Sequence, residues 1–293
     1  MLKRQKLILA LLEAGEKPLT QTILVKLAFL MRQHPALRDD STFYDFVPYR
    51  FGPFSFALYR ELSALQRDSY IDRDEKEIGL NRKTRSLTTQ AISDLPSKDS
   101  DVVRSVVRRY GRLAQDALIR RVYNEYPWYA VRSELSHLVP KDVPQVGPAP
   151  IAVYTVGYEG KSIDAFFDGL LRSGVRALLD VRANPVSRKY GFAGRSLREI
   201  SGKLALEYSH LPELGIDGAN RTALTSFAAY QKLLDRYESQ MLPQLTTSVH
   251  RLLELIRERP SALMCVERDI RCCHRGRLAA VAAEATGLPV VHL

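Results

Sequence analysis

Apolar residues recur at helical spacing through most of the first half of the chain. Residues 2–14, the segment after Thr20 and residues 55–67 each predict a helix with one apolar face. Thr20 is a suitable N-cap because its hydroxyl oxygen can accept a backbone N–H at the start of the second helix. From residue 70 to residue 87, two short β-type runs flank a charged bend and predict a hairpin with a basic edge. Three helices followed by such a hairpin predict a winged helix-turn-helix domain over residues 1–95.

Two further segments separate this domain from the second half. Residues 96–138 predict a helical extension, in which valines alternate with arginines three to four positions apart. Residues 139–150 contain four prolines and one glycine, a composition that favours an extended linker.

The second half, residues 151–293, alternates between short apolar runs and amphipathic segments. Residues 152–156, 177–181 and 262–266 predict buried strands, and helical patterns lie between them. Strands separated by helices imply parallel crossover connections. We therefore predict an α/β fold, a mostly parallel three-layer sandwich, preceded by the α-rich winged helix-turn-helix domain.

Polar side chains cluster after several of these predicted strands. If the sheet is parallel, the clusters meet at the carboxyl ends of the strands, where open α/β sheets bind ligands. The clusters contain residues 155–161, 180–188, 208–215 and 265–275. We expect one pocket there.

These clusters, in this order, resemble the domain-of-unknown-function family 488. The family's features are a Thr-Val-Gly-Tyr start, Asp-Val-Arg with a following Pro-x-Ser-Arg, a Leu-x-x-Leu-Gly stretch, and Cys-x-Glu before Cys-His-Arg. They correspond here to residues 155–158, 180–182 with 185–188, 211–215, and 265–267 with 273–275. One departure is the continuation over residues 216–221, where a further glycine is expected. The resemblance implies a fold and a site more firmly than a reaction.

Asp180, Glu267, Cys265 and His274 are the candidate catalytic residues. Either carboxylate can act as a base toward water or stabilise a cationic sugar, and either can instead orient Arg182 or Arg275 through a salt bridge. A thiol such as Cys265 can act as a nucleophile when a neighbour lowers its pKa, although a position within an apolar strand also favours simple burial. His274 is a candidate proton carrier.

A second set of residues is predicted to bind substrate or phosphate. Arginine guanidinium groups suit phosphate oxygens, tyrosine rings can stack on a planar ligand, and Cys273 is expected to be exposed. Internal ion pairs and core packing are the alternatives for these side chains. The set is Tyr158, Arg182, Arg188, Tyr208, Cys273 and Arg275.

The first half also resembles the Panacea-type antitoxin-associated domain over roughly residues 5–90. The resemblance rests on residues 43–59, which are rich in Phe and Tyr, and on the helix that follows. The winged-helix prediction makes exposed basic residues candidates for phosphate contacts, with a solvated basic face as the alternative. These residues are Arg60, Arg67, Arg82, Lys83, Arg85, Arg104, Arg108 and Arg112.

Composition narrows the range of partners. The net charge is +10 and both halves are basic, which suits a polyanion such as DNA, although many basic enzymes bind only small phosphates. No apolar run approaches the roughly 18 residues that span a bilayer, so we expect a cytoplasmic protein without a membrane partner. Three cysteines, two of them adjacent, fit a reducing compartment, and their spacing lacks the separated ligand pairs of structural zinc modules. We expect neither a metal nor another cofactor. The sequence leaves open whether the protein forms a homodimer.

Together these patterns predict an enzyme that acts on DNA. We expect a base glycosylase that hydrolyses the N-glycosidic bond of an extruded base, in a setting such as defence against foreign or modified DNA. Two alternatives remain open. One is a transcription regulator that binds a nucleotide-like ligand without turnover, and the other is a non-catalytic component of a toxin–antitoxin pair.

Overall fold

The computed structural model describes residues 1–15, 17–218 and 226–293. These residues separate into a first unit, Met1–Gln145, and a second unit, Val146–Leu293. Each unit has an apolar core of its own. Within the described ranges, no helix is both long enough and apolar enough to cross a lipid bilayer.

The first unit is mainly helical, with short antiparallel strands. Thr20 accepts the backbone N–H of Ile23 and Ser55 accepts that of Leu58, so each hydroxyl caps the helix that follows it. The elements are α1 (Lys3–Ala14), β1 (Leu19–Thr20), α2 (Gln21–Gln33), α3 (Pro35–Arg38), β2 (Val47–Tyr49), β3 (Gly52–Phe54), α4 (Phe56–Arg67), β4 (Ile71–Arg73), β5 (Glu77–Leu80), α5 (Arg85–Ser93), α6 (Ser97–Tyr110) and α7 (Gln115–Glu125). Strands β1, β5 and β4 form one sheet in that order, and β2 pairs with β3 in a separate hairpin.

One apolar core joins α1 and α2 to α6 and α7. The ring of Phe29 on α2 meets Phe46, Tyr126 and Tyr129 edge-on, at centroid distances of 5.3, 5.1 and 4.6 Å. Residues 96–138 therefore share their core with the three-helix region before them. Lys26 is buried in this core, and its Nζ donates to the backbone oxygen of Pro53 at 3.3 Å. Burial lowers the pKa of Lys26 to about 7.

The second unit is an α/β domain built on a parallel sheet. Its elements are β6 (Val153–Gly157), α8 (Ile163–Arg172), β7 (Ala177–Asp180), α9 (Gly194–Lys203), β8 (Glu207–His210), α10 (Phe227–Arg236), a π-helix (Tyr237–Met241), α11 (Thr246–Glu258), β9 (Ser261–Cys265), α12 (His274–Thr286) and β10 (Val290–His292). The five strands lie in the order β10-β6-β9-β7-β8, and every neighbouring pair is parallel. The predicted α/β architecture with parallel strands is confirmed.

Helices cover both faces of the central strands. Every residue of β6, β7 and β9 is buried, whereas the edge strands β8 and β10 are partly exposed. Side chains of α11 and α12 share a core with Val153, Leu179 and Leu263 from these strands. Because parallel crossovers are right-handed, the connections through α8 and α9, which run toward β8, lie on the opposite face.

This topology places a switch point at the ends of the central strands. The chain leaves β9 toward the α12 face, whereas it leaves both neighbours, β6 and β7, toward the other face. Adjacent connections that diverge in this way leave space at the carboxyl ends of the strands, where ligands bind in open α/β sheets.

Candidate active site

Three of the four predicted polar clusters follow the central strands β6, β9 and β7. Gly157 is in register with Cys265, and Asp180 is in register with Met264, so these strands end at one level. The backbone N–H of Tyr158 donates to the oxygen of Cys265 at 3.3 Å. The fold therefore brings sequence-distant side chains together at this edge.

Asp180 is fully buried and bonded within the protein. Its two carboxylate oxygens accept Nε and Nη2 of Arg182 at 2.8 and 2.6 Å, and the Tyr208 hydroxyl donates to it at 2.8 Å. Burial opposes the charge of Arg182, but the bonds to Asp180 outweigh it and raise the pKa of the guanidinium. Burial and the Asp180 charge also raise the pKa of Tyr208. The geometry assigns Asp180 to an internal ion pair, one of the two roles predicted for it.

The two tyrosines predicted to stack on a ligand are packed against protein groups instead. The ring of Tyr158 stacks on Phe192, with centroids 4.2 Å apart and planes 12° from parallel. The guanidinium of Arg198 lies over the ring of Tyr208 at 5.1 Å. Since both tyrosines are buried and have a protein group on a ring face, their predicted stacking on substrate is replaced by core packing.

The three predicted phosphate-binding arginines occupy different environments. Arg182 is held by Asp180, and Arg275 is buried with Nη1 and Nη2 donating to the backbone oxygens of Glu267 and Arg268 at 2.5 and 3.3 Å. Arg188 is exposed in the loop after β7. Two of the three guanidinium groups therefore bind protein acceptors, which corrects the prediction of a three-arginine anion pocket.

Gly157 explains how the loop after β9 reaches its position. A Cβ atom at this residue would lie 2.1 Å from the backbone oxygen of Glu267 and 3.0 Å from Nη2 of Arg275. Only glycine permits so close an approach of the loop to the end of β6. The loop then leads directly into α12.

Cys265, Cys273 and His274 form a buried cluster at the start of α12. Cys265 Sγ lies 3.8 Å from His274 Nδ1 and 3.3 Å from Glu267 Oε2. His274 Nε2 lies 2.8 Å from the backbone oxygen of Val181. A carbonyl oxygen only accepts hydrogen bonds, so Nε2 carries a proton and, in the neutral ring, the lone pair of Nδ1 faces Cys265.

The two thiols differ in proton affinity. A hydrogen bond from Cys273 lowers the pKa of Cys265 well below its usual value against the effect of burial, and His274 adds to this lowering only when its ring is protonated. Burial, followed by the contact with Cys265, raises the pKa of Cys273. Cys273 is buried and not exposed as predicted, because its position as the N-cap of α12 turns it toward the end of β9.

A cavity of about 290 Å³ lies beside this cluster. Glu267, His274 and Cys272 contribute to its wall. Among the described residues, its other lining side chains are Ile216, Tyr230, Leu233 and Leu234. Ile216 belongs to the segment that departs from the family pattern, whose residues 219–221 lie outside the described ranges.

Sequence spacing missed the closeness of the cluster. The separations between Cys265, Cys273 and His274 gave no reason to expect a metal, yet their ligand atoms all lie within 4.8 Å of one another. The histidine had no partner identifiable from sequence, because the oxygen that it contacts belongs to Val181, the residue after β7 and distant in sequence. Phe192 was missed as well, since an isolated aromatic after a loop carries no local signal.

The predicted phosphate contacts of the first unit are all exposed. Arg60 and Arg67 lie on α4, Arg82 and Lys83 lie in a short 3-10 turn after β5, and Arg85 begins α5. On and after α6, three arginines at four-residue spacing line a cavity of about 820 Å³ together with His34 and Asp101. These three are Arg104, Arg108 and Arg112.

Residues 162–282 match a family model described as Domain of unknown function DUF488. The match confirms the resemblance predicted for the C-terminal half, and it contains the Asp180–Arg182 pair and the Cys265 cluster. No curated protein matches the chain. The family description assigns no reaction, so a function has to be argued from the site.

Proposed function

We propose that this protein is a DNA-binding hydrolase that cleaves the N-glycosidic bond of an extruded base. The observation that carries the proposal is the cavity beside the end of β9, whose lining includes Glu267 and His274. Its volume of about 290 Å³ lies near the lower end of small-molecule sites, which run from about 300 to 1,000 Å³. A site of this size suits a single base or nucleoside unit.

Glu267 is the group proposed to activate water. It is partly exposed at the cavity wall, whereas the carboxylate of Asp180 is saturated by Arg182 and Tyr208. Glu267 takes a proton from water, the water oxygen bonds to the sugar carbon, and the electrons of the carbon–nitrogen bond leave with the base. The proton held by Glu267 then passes to the departing base.

Asp180 and Arg182 act as positioning residues in this scheme. Nη1 of Arg182 donates to the Tyr158 hydroxyl at 3.3 Å and to the backbone oxygen of Phe192 at 3.0 Å. The ion pair thereby ties the loop after β7 to the end of β6. Replacing either residue should change the shape of the site without removing a group that transfers a proton.

The first unit is the proposed DNA-binding part. Helices α1, α2 and α4 precede the β4–β5 hairpin, an order that supports the winged helix-turn-helix prediction. The exposed arginines of α4 and α6, with Arg82 and Lys83 after the hairpin, offer charges for backbone phosphates. A base inside a duplex has to be extruded to reach any enzyme pocket, and unmodified and modified foreign DNA are both candidate substrates.

Detection of abasic sites tests the proposal directly. Plain and base-modified duplexes are incubated with the protein, treated with alkali and resolved by size, and strand breaks that require the protein are expected. Glu267→Gln should abolish the breaks, while the control Asp269→Asn should keep them. Asp269 lies in the same loop, and the replacement amide oxygen can still accept the backbone N–H of Arg271.

Other outcomes would redirect the assignment. Unchanged DNA together with tight sequence-specific binding would contradict catalysis and favour the regulator. Binding that requires a second protein would favour the toxin–antitoxin component. If Glu267→Gln is as active as the wild type, Glu267 is not the general base that activates water.

A further inference from the structure

The loop between β9 and α12 closes three metal-ligating side chains into one buried cluster. Cys265 is the last residue of β9, Cys273 is the N-cap of α12 and His274 is its first residue. All three are at most 1% exposed, and their ligand atoms lie within 4.8 Å of one another. The bonds from Arg275 to the oxygens of Glu267 and Arg268 hold the loop in the shape that brings them together.

The orientation of His274 favours a metal at this point. Its Nε2–H donates to the oxygen of Val181 at 2.8 Å, which directs the Nδ1 lone pair toward the thiols. Histidines that bind metals usually donate their other ring N–H to a carbonyl or carboxylate in this way, because that bond fixes the ring and its tautomer. Two sulfur atoms and one imidazole nitrogen thus converge as donors.

We infer that Cys265, Cys273 and His274 bind a zinc ion. Thiolate and imidazole are the ligands that Zn²⁺ prefers, and a set of three protein ligands is typical of catalytic zinc sites, which keep a fourth position for water. The site rests on the geometry of the cluster alone. Its use in hydrolysis rests, in addition, on the function proposed above.

Glu267 is placed to serve the fourth position. Its Oε2 lies 3.3 Å from Cys265 Sγ, and the residue lines the adjoining cavity. A zinc ion lowers the pKa of a bound water to about 7, so the water can transfer a proton to the carboxylate. The resulting hydroxide supplies the electron pair for the new bond to substrate, and the proton on Glu267 returns to the leaving group. A carboxylate beside a two-cysteine, one-histidine zinc site is also the arrangement that zinc-dependent base deaminases use.

A metal-free reading of the same residues is that Cys265 is a nucleophile paired with His274. The two readings differ in what Cys273 does. A zinc site requires both sulfurs as thiolate ligands, whereas the nucleophile requires only the sulfur of Cys265. Cys272 provides a matched control, because it is an adjacent cysteine that lines the cavity but lies outside the three-residue cluster.

Metal content and cobalt spectroscopy test the inference on the full, untagged chain. The wild type, purified without chelators, should carry one zinc per chain by mass spectrometry. After removal of zinc, added Co²⁺ should give the d–d absorption of a tetrahedral site and a near-ultraviolet sulfur-to-cobalt charge-transfer band. Cys272→Ser should keep both signals, whereas Cys273→Ser and His274→Ala should lose zinc at least tenfold.

Three results would overturn the zinc site. They are wild-type protein that takes up neither zinc nor cobalt, full metal content in Cys273→Ser, and loss of metal in Cys272→Ser. If the cluster variants do not fold, the cobalt spectrum of the wild type decides, since a site without thiolate ligands gives no charge-transfer band.

The abasic-site assay separates failure of this inference from failure of the proposed function. If the protein carries one zinc per chain but releases no base, the zinc site is supported and the glycosylase function is contradicted. If the protein binds no metal and its release of bases is unaffected by treatment that removes zinc, the glycosylase function is supported and the zinc site is contradicted.

Discussion

The buried amine of Lys26 should make the stability of the first unit depend on pH. The side chain is 2% exposed and, because of burial, has a pKa of about 7 against 10.5 for a free lysine. Each tenfold change in proton affinity corresponds to about 1.4 kcal/mol, so the charged amine destabilises the folded unit by about 5 kcal/mol when fully protonated.

The sign follows from which state binds the proton. Below pH 7 both states are protonated and the full penalty applies. Between pH 7 and 10.5 the unfolded chain binds a proton that the folded chain has released, so the wild type gains stability as the pH rises. From these two pKa values, the penalty falls from about 5 kcal/mol at pH 6 to about 2 kcal/mol at pH 9.

Lys26→Met removes the titrating amine and keeps the length of the side chain. Because the backbone oxygen of Pro53 then loses its hydrogen-bond donor, the variant is destabilised by about 1 kcal/mol. We therefore expect the variant to exceed the wild type by about 4 kcal/mol at pH 6 and by about 1 kcal/mol at pH 9. Urea unfolding followed by the fluorescence of Trp128, the single tryptophan, reports on this unit alone.

The pH dependence of the difference is the decisive quantity. Other titrating groups are common to both proteins and cancel when the variant is compared with the wild type. Lys98→Met on α6 serves as the control, because Lys98 is exposed and its replacement should leave the pH dependence unchanged. The same stability difference at pH 6 and pH 9 for Lys26→Met would refute the argument.

Three further predictions concern the second unit. Asp180→Asn should destabilise it by about 3–5 kcal/mol in chemical unfolding, because Arg182 is left buried without its carboxylate; a stability equal to the wild type would contradict the ion-pair assignment. Gly157→Ala should lower stability by about 1–3 kcal/mol and reduce base release, since the new Cβ meets the backbone oxygen of Glu267. Gly169 is exposed within α8 and faces open space, so Gly169→Ala should instead increase the free energy of unfolding by about 0.5–1 kcal/mol and raise the thermal midpoint. A lower midpoint would show that the helix is constrained there.

Much of the secondary structure follows from local sequence patterns. Thr20 was predicted to cap the second helix, and the structure shows its hydroxyl accepting the N–H of Ile23. The continuous apolar runs that became β6, β7 and β9 predicted buried parallel strands, because a strand covered on both faces needs apolar residues at every position. The helical pattern between the predicted strands indicated no break after Phe227, whereas the structure divides this segment around a short 3-10 turn that contains Pro243.

The grouping of polar residues into clusters was also readable from the sequence, since parallel strands end at one edge of their sheet. The roles within those clusters were not. Asp180 and Glu267 are both carboxylates near strand ends, yet one is saturated by a buried arginine and a tyrosine while the other lines a cavity. Spacing along a chain contains no information on which donors reach a given oxygen.

The sequence by itself determined the α/β class of the second half, its family resemblance and the residues available for chemistry, because periodicity, capping and motif spacing act over a few neighbouring positions. Only the tertiary structure decided that Cys265 and Cys273 converge on His274, and that the oxygen of Val181 orients the histidine ring. These contacts join β9, α12 and the end of β7. Their distances depend on strand order and on the close approach of a loop at Gly157, which are properties of the packed chain.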